Sequence, residues 1–474
     1  MADVIVVGGG VGGLTAAMLL AKDGHRVRLL ERDPASPPAD PAACWEDWER
    51  RGVNQFRLLH LFLPRWRQII EAELPELLPE LEAVGALSYN FVANVPVQVS
   101  GGFRPGDERF TLVTARRPVT EAVMARLAAA TPGLEVCRGV AVKGLLVADR
   151  PRLPGVPHIT GVETEDGRLL HADLVVDAGG RRSPLPRWLA ALGARPDEEL
   201  DECGFLYYGC HFRSSDGSVP PAFGPPLQPY DSLSLLALPA DNGTWGVGIT
   251  TSSRDRALRE LRHVPCWEAA IRCYPATAGW IDAEPITGIS VMAGIEDRRR
   301  ELVIDSAPVV TGLVAVGDAW ASTNPSLGRG ASIGALHACV LRDVVAKEGT
   351  DDPDTLVLRF AAETAATVAP YLDSTLSFDR HRLAEIEADA AGVPYEPEDP
   401  AWAMTRALGA GARTDPVVAR ALAAIASAQA LPAEVLGDPT VLGHAAAFLG
   451  RPHYAPGASR AELLAAVRGA TGSR

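Results

Sequence analysis

Five glycines in six positions, Gly8-Gly9-Gly10-Val11-Gly12-Gly13, separate one apolar run, Asp3 to Val7, from another, Leu14 to Lys22. Glycine at that density cannot be the interior of a stable helix or strand, so the run must be a turn between two elements. The expected order is a strand, a tight turn, a helix stopped at Gly24 and a second strand from Arg26 to Leu30, which is a βαβ unit. Within it, Gly8-x-Gly10-x-x-Gly13 has the spacing that lets a backbone bend sharply, approach a pyrophosphate and pack its helix closely on its strand. The amides of Val11, Gly12 and Gly13 would then open the helix with free N–H groups facing the phosphates. Glu31, eighteen residues after Gly13, is placed to accept hydrogen bonds from the adenosine ribose, with Arg32 beside it. An acid there disfavours a 2′-phosphate, so NADP is not the ligand of this turn.

The segment Val4 to Ala21 has no charged residue, yet its glycines and the acidic Asp3 before it argue against a signal peptide or a membrane span, and a cytoplasmic protein is expected. A net charge of -14, with Arg298-Arg299-Arg300 as the one basic run, excludes a generic nucleic-acid binder. Seven cysteines without a C-x-x-C make neither a disulfide framework nor a zinc site, and no metal is expected.

At 474 residues the chain should divide into two or three domains. Helical periodicity is expected over Leu58 to Val84, with proline interruptions, and over Val119 to Ala129 and Gly330 to Val345. Short strands are expected over Tyr89 to Phe103, and further strands at Leu134 to Cys137, Val140 to Ala148, His158 to Thr164, Leu169 to Asp177 and Leu313 to Val316. Phe205 to Phe212, Leu233 to Leu238 and Trp245 to Thr250 read as a separate antiparallel sheet. The expected fold is α/β: a Rossmann-like, three-layer ββα dinucleotide-binding domain of the glutathione-reductase type, made from 1–62, 110–200 and 296–350. An antiparallel-sheet substrate domain from 63–109 and 201–295 is inserted into it, and an Ala-rich helical appendage spans 351–474.

Two later segments return to the first fold. Leu174-Val-Val-Asp177-Ala-Gly-Gly180-Arg-Arg-Ser183-Pro-Leu-Pro-Arg187 ends a strand, and so does Leu313-Val-Ala-Val-Gly317-Asp318-Ala319, which leads to Asn324-Pro325-Ser326-Leu327-Gly328-Arg329-Gly330 at a helix start. Together with the glycine turn, these resemble the FAD motifs of flavin monooxygenases of the para-hydroxybenzoate hydroxylase superfamily. Ser183 and Arg187 lie two and three residues later than the usual D-G-x-x-S-x-x-R spacing, a variant that looks like the actinobacterial polyether epoxidase type. Arg51-Gly52-Val53-Asn54-Gln55-Phe56-Arg57-Leu58-Leu59-His60 is similar to that subgroup's segment near the flavin, with Asn54 where a proline is more usual. Thr114-Ala-Arg116-Arg117-Pro118 resembles the arginine-bearing helix start that reaches FAD, and Gly204 to Arg213 the first substrate-domain strand, with Cys210 in place of a frequent arginine.

The resemblance implies FAD held by Gly8, Gly10, Val11, Gly12, Gly13, Glu31, Arg32, Arg51, Arg117, Asp177, Gly317, Asp318, Pro325, Gly328, Arg329 and Gly330. Val142 would add a backbone contact to adenine, and Asn324, Pro325, Gly328 and Gly330 would lie at the flavin, with no protein acid or base assigned. It also implies monooxygenation through a flavin C4a-hydroperoxide, hydroxylating or epoxidising a small or medium hydrophobic molecule of specialised metabolism. NADPH or NADH would supply electrons, directly or through a flavin reductase. Phe205, Tyr207, His211, Leu236 and Trp245 are candidate substrate contacts. Three alternatives stay open: a reductase or dehydrogenase of the geranylgeranyl-reductase type, a halogenase, and a flavin-binding protein without catalysis. The halogenase is disfavoured because Trp245-Gly246-Val247-Gly248-Ile249 has one Trp where W-x-W-x-I-P is expected and no lysine lies between Lys22 and Lys143.

Overall fold

The computed structural model describes residues 1–53, 55–93, 95–150, 152–221 and 226–471; Asn54 therefore lies outside the described residues. Its central sheet has five parallel strands in the order Leu313–Ala315, Leu174–Asp177, Asp3–Val7, Arg26–Glu31 and Leu134–Arg138. Val4, Ile5 and Val6 are all buried, because a parallel strand covered on both faces has no wet side to alternate toward. Helices Val11–Lys22, Arg117–Ala130 and Gly330–Glu348 pack with this sheet, and the antiparallel strands Val142–Val147, Ile159–Thr164 and Leu169–His171 add the third layer. This is the three-layer ββα domain expected from the glycine turn.

The second sheet is antiparallel, in the order Leu227–Pro229, Ser234–Pro239, Thr244–Ser252, Phe205–Arg213 and Glu284–Pro285, with Ser290–Met292 also paired to Phe205–Arg213. Tyr208, Cys210, Phe212, Trp245 and Val247 form one core with Trp267 of helix Val264–Arg272 and Leu463 of helix Arg460–Thr471. The two units are joined by the strands Asp197–Glu202 and Glu296–Glu301, the latter also paired with Ala321–Ser322. The basic run sits here: Arg300 is 1% exposed and donates to Glu198 at 2.9 Å and to the Ala319 carbonyl at 2.8 Å, while Arg299 donates to Glu301 at 2.6 Å. Its charges are used inside the fold.

Two expectations change and a third gains detail. Helices Pro64–Glu73 and Leu77–Ala83 bury Trp66, Ile70, Leu77 and Leu81 in the first core, although they fall in the stretch assigned to the substrate unit. Where short strands were expected over Tyr89 to Phe103, the described residues show the end of strand Leu87–Asn90 and then the helical turn Val97–Ser100. The expected carboxy-terminal helical tail is present, and it packs into the body of the protein: Leu356, Phe360 and Leu372 enter the first core, Leu463 and Val467 the second, and Ile386 and Ala424 a third with Tyr207 and Leu236. Local apolar period fixes that a face is buried and leaves open which layer buries it. Among the described residues no helix is long and apolar enough to cross a membrane.

Candidate functional site

The glycines of the opening turn divide by what surrounds them. A Cβ on Gly8, whose φ is +110°, would overlap the Ala178 carbonyl, and one on Gly13 would overlap the Gly8 carbonyl. Gly10 and Gly12 instead face open space, with nothing within 4 Å of where a Cβ would stand. Gly10 caps helix Val11–Lys22 without any side-chain hydrogen bond, so the first-turn N–H groups face the cavity that Gly10, Val11, Gly12 and Gly13 line. Two glycines make the turn and two leave room beside a helix N-terminus, as a pyrophosphate requires. A Cβ on Gly334 would stand 3.9 Å from the Gly317 Cα and 4.0 Å from the Gly12 Cα, so the two helix starts close on one place.

Glu31 ends its strand buried, accepting the Gly9 N–H at 2.8 Å and the Asp33 N–H at 2.9 Å. Its carboxylate is also paired with Arg50, whose guanidinium reaches Glu121 and donates to the Gly9 carbonyl at 2.9 Å. Glu121, wholly buried, receives Arg117 Nε at 2.6 Å. Burial raises the Glu121 carboxyl, but Arg117 and Arg50 overcome it and hold the group below the ordinary carboxylate value. Arg50 was not foreseen. It adjoins Arg51, which bears the same charge, is exposed and does not line the cavity.

At the second helix start, Asp318 lines the cavity, and no protein hydrogen bond to its carboxyl is seen among the described residues. Burial pushes its pKa up, against the pull of Arg181 and Arg117. Such a carboxyl fits a polyhydroxylated chain that donates to it, as the ribityl chain of FAD does. Gly317 adopts φ +56° and gives its N–H to Nδ1 of His337, a wholly buried residue that sequence reasoning missed. Pro325–Leu327 form a helical turn ended by Gly328 at φ +65°, and helix Gly330–Glu348 follows without a side-chain cap. The Arg329 guanidinium turns to the carboxy-terminal helices, donating to Thr375 Oγ1 at 3.1 Å and the Ile425 carbonyl at 3.1 Å. Asn324 accepts from the Tyr207 hydroxyl and donates to Ser326 Oγ at 3.0 Å and Asp379 Oδ1 at 3.2 Å.

One cavity of about 1020 Å³ joins these parts. It runs from Gly10 past Arg117, Asp318 and the Asn324–Gly330 loop to a wall that includes Leu59, Tyr207, His211, Leu236, Phe378 and Trp402. Leu59 reaches the sheet because Gly209, Gly246 and Gly248 leave a slot: a Cβ on any of them would meet its side chain, at 2.8 Å for Gly209. His60 and His211 line the same space, each with a buried Nδ1 that lacks a hydrogen-bond partner among the described residues. Burial lowers their pKa values to about 3 and about 4, which keeps both imidazoles neutral.

Other expected contacts fall elsewhere. Asp177 does not line the cavity; it accepts from Ser183 Oγ and, at 2.9 Å, from the Gly179 N–H, fastening its own turn. Phe205 and Trp245 do not line it either, and Trp245 lies on the opposite face of the sheet with Phe212, its Nε1 donating to the Trp280 carbonyl at 2.8 Å. Alternation along the strand sends Trp245 to the core of that face, whereas Phe205 shares the face of Tyr207 and is buried with it and Leu236. Arg32 is exposed beside Gly52, and Val142 begins a strand of the outer sheet, close to where the Val140 N–H donates to the Glu31 carbonyl at 2.9 Å.

Residues 3–95 match the family described as FAD dependent oxidoreductase. Protein Rv3254 of Mycobacterium tuberculosis is 28% identical over 382 residues, 77% of each chain. Among solved structures, PqsL, a probable FAD-dependent monooxygenase from Pseudomonas aeruginosa, aligns with TM-score 0.59 and 18% identity over 81% of this chain and 99% of its own. CmlS, a flavin-dependent halogenase, aligns with TM-score 0.57 and 17% identity over 99% of this chain and 77% of its own. The fold is thus shared by flavoproteins of different chemistries.

Proposed function

We propose that this protein is an FAD-dependent monooxygenase that inserts one O2-derived oxygen atom into a small or medium hydrophobic organic molecule, by hydroxylation or epoxidation. The observation that carries the reading is the single cavity that begins at the free N–H groups after Gly10 and ends on an apolar wall built by the second sheet and the carboxy-terminal helices. FAD, when bound, supplies the redox chemistry and the activation of oxygen. The chain supplies the rest.

The helix start at Gly10 to Gly13 and the Arg117 guanidinium would bind the pyrophosphate of FAD, and the buried pair of Arg50 and Glu31 stiffens the turn from below. Asp318 would accept hydrogen bonds from the ribityl chain of FAD and so orient its ring system. The uncapped N-terminus of helix Gly330–Glu348 would offer free N–H groups to a flavin held in the cavity and favour negative charge there. Leu59, Leu236, Phe378 and Trp402 exclude water around the substrate. His60 and His211 stay neutral and provide hydrogen-bonding nitrogens, and Tyr207 holds its proton on the hydroxyl because burial raises its pKa well above the ordinary value.

Electrons come from NADH or NADPH, directly or through a flavin reductase. The test supplies reduced cofactor and isotopically labelled O2 with a panel of hydrophobic polyketide-like substrates. The expected outcome is substrate-dependent cofactor oxidation and product heavier by one labelled oxygen atom. Reduced or desaturated product without label would favour the reductase alternative, and halogenated product in the presence of halide would favour the halogenase.

A further inference from the structure

Resting on the FAD reading above, we propose that Asp379 is a positioning residue whose protonation reverses the hydrogen bond that Ser326 presents to the cavity, so that a bound flavin meets an acceptor in one state and a donor in the other. Asp379 lies on helix Ala369–Ala391 and is 3% exposed. Its Oδ1 accepts from Ser326 Oγ at 3.1 Å and from Asn324 Nδ2 at 3.2 Å, whereas its Oδ2 is buried without a partner among the described residues. Ser326 and Tyr207 line the cavity and Asp379 does not, so the carboxyl reaches the cavity only through the Asn324–Ser326 loop.

The neighbours on every side disfavour a settled charge. Asp297, which accepts the Asn324 N–H at 2.7 Å, adds like charge, and burial adds more. Arg329 opposes both, but its guanidinium is directed to Thr375 and the Ile425 carbonyl. Arg181 acts on Asp297, while Tyr207 and Cys203 face the carboxyl as groups that burial keeps neutral. The balance raises the Asp379 pKa to about 7.

The two states differ in a defined way. With Asp379 ionised, the Ser326 hydroxyl donates to Oδ1 and offers a lone pair to the cavity. On protonation, one proton taken from solvent settles on Oδ1, because there it gains Ser326 Oγ as an acceptor and on Oδ2 it gains none. Ser326 Oγ then accepts from both Asp379 and Asn324 Nδ2, its lone pairs are filled, and its own hydrogen turns to the cavity. No bond other than O–H is made or broken.

The experiment uses FAD-loaded protein and follows two signals across neutral pH, the flavin absorption spectrum and the carboxylic-acid C=O infrared band, in the wild type, Asp379→Asn and Ser326→Ala. The wild type should show a flavin spectral shift and loss of the infrared band with a common midpoint near 7. Asp379→Asn should lose both, and Ser326→Ala should keep the infrared titration while losing the flavin shift. A flavin shift that survives Asp379→Asn, or a wild-type carboxyl band that does not titrate, would overturn the proposal. Failure of the wild type to bind FAD is visible before any titration and would overturn the reading beneath it instead.

Discussion

His337 accepts the backbone N–H of Gly317 on Nδ1 at 3.2 Å, so its other nitrogen carries the hydrogen and donates to Thr364 Oγ1 at 3.0 Å. A fully buried imidazole stacked on Phe360 therefore fixes the residue before Asp318 in its left-handed conformation. His337→Leu would leave the Gly317 N–H buried without an acceptor, a cost of about 1–3 kcal/mol. The expected outcome is a lower Tm with weaker FAD retention, read by thermal denaturation with and without FAD.

The same histidine makes stability depend on pH. Its pKa falls from the ordinary 6.5 to about 3 in the folded state, through burial. The unfolded chain then binds the extra proton first, so the contribution is whole above 6.5 and is lost as pH falls from there toward 3. The loss approaches about 1.4 kcal/mol per pH unit for one such group. Urea unfolding of the wild type and His337→Gln on the acid side of neutrality isolates this contribution from those of His60 and His211, and the two slopes should differ by close to one proton.

Arg50 and Arg51 separate cleanly. Arg50→Met removes the counter-charge of buried Glu31 and Glu121, and breaking such a pair costs about 3–5 kcal/mol. Arg51→Ala touches an exposed side chain and should change stability by less than about 0.5 kcal/mol. Denaturant unfolding and FAD content after purification check both.

Gly10 and Gly13 should fail in different ways. Gly10→Leu places its side chain in open space and should leave a folded protein that no longer retains FAD. Gly13→Ala drives a methyl into the Gly8 carbonyl and should lower stability even without cofactor. Circular dichroism with FAD fluorescence titration distinguishes the outcomes. By the same titration, Asp318→Ala should weaken FAD binding and keep the fold.

Strong local periodicity made most of the secondary structure legible. The strands Asp3–Val7, Phe205–Arg213 and Ile159–Thr164 lie within a residue or so of their expected limits, since the alternation or continuity of apolar side chains is a local signal. The glycine turn was legible for the same reason. What was not legible depends on partners distant in sequence. Arg50 and Arg51 differ only in which one points under the turn toward Glu121, seventy-one residues from Arg50. Asp379 and Trp402 sit in Ala-rich helices whose pattern gives no sign that they reach the Asn324–Gly330 loop and the cavity wall. Buried His337 carries no motif. A polar residue inside an apolar helix, Ala335 to Leu341, was the one signal available for it.

The most direct measurement is a crystal structure of the protein with FAD. The pyrophosphate is predicted on the N–H groups after Gly10, the ribityl chain on Asp318, and the flavin ring between the Asn324–Gly330 loop and the wall of Leu59, Tyr207 and His211. FAD bound elsewhere, or bound with its ring turned away from the apolar chamber, would contradict the account.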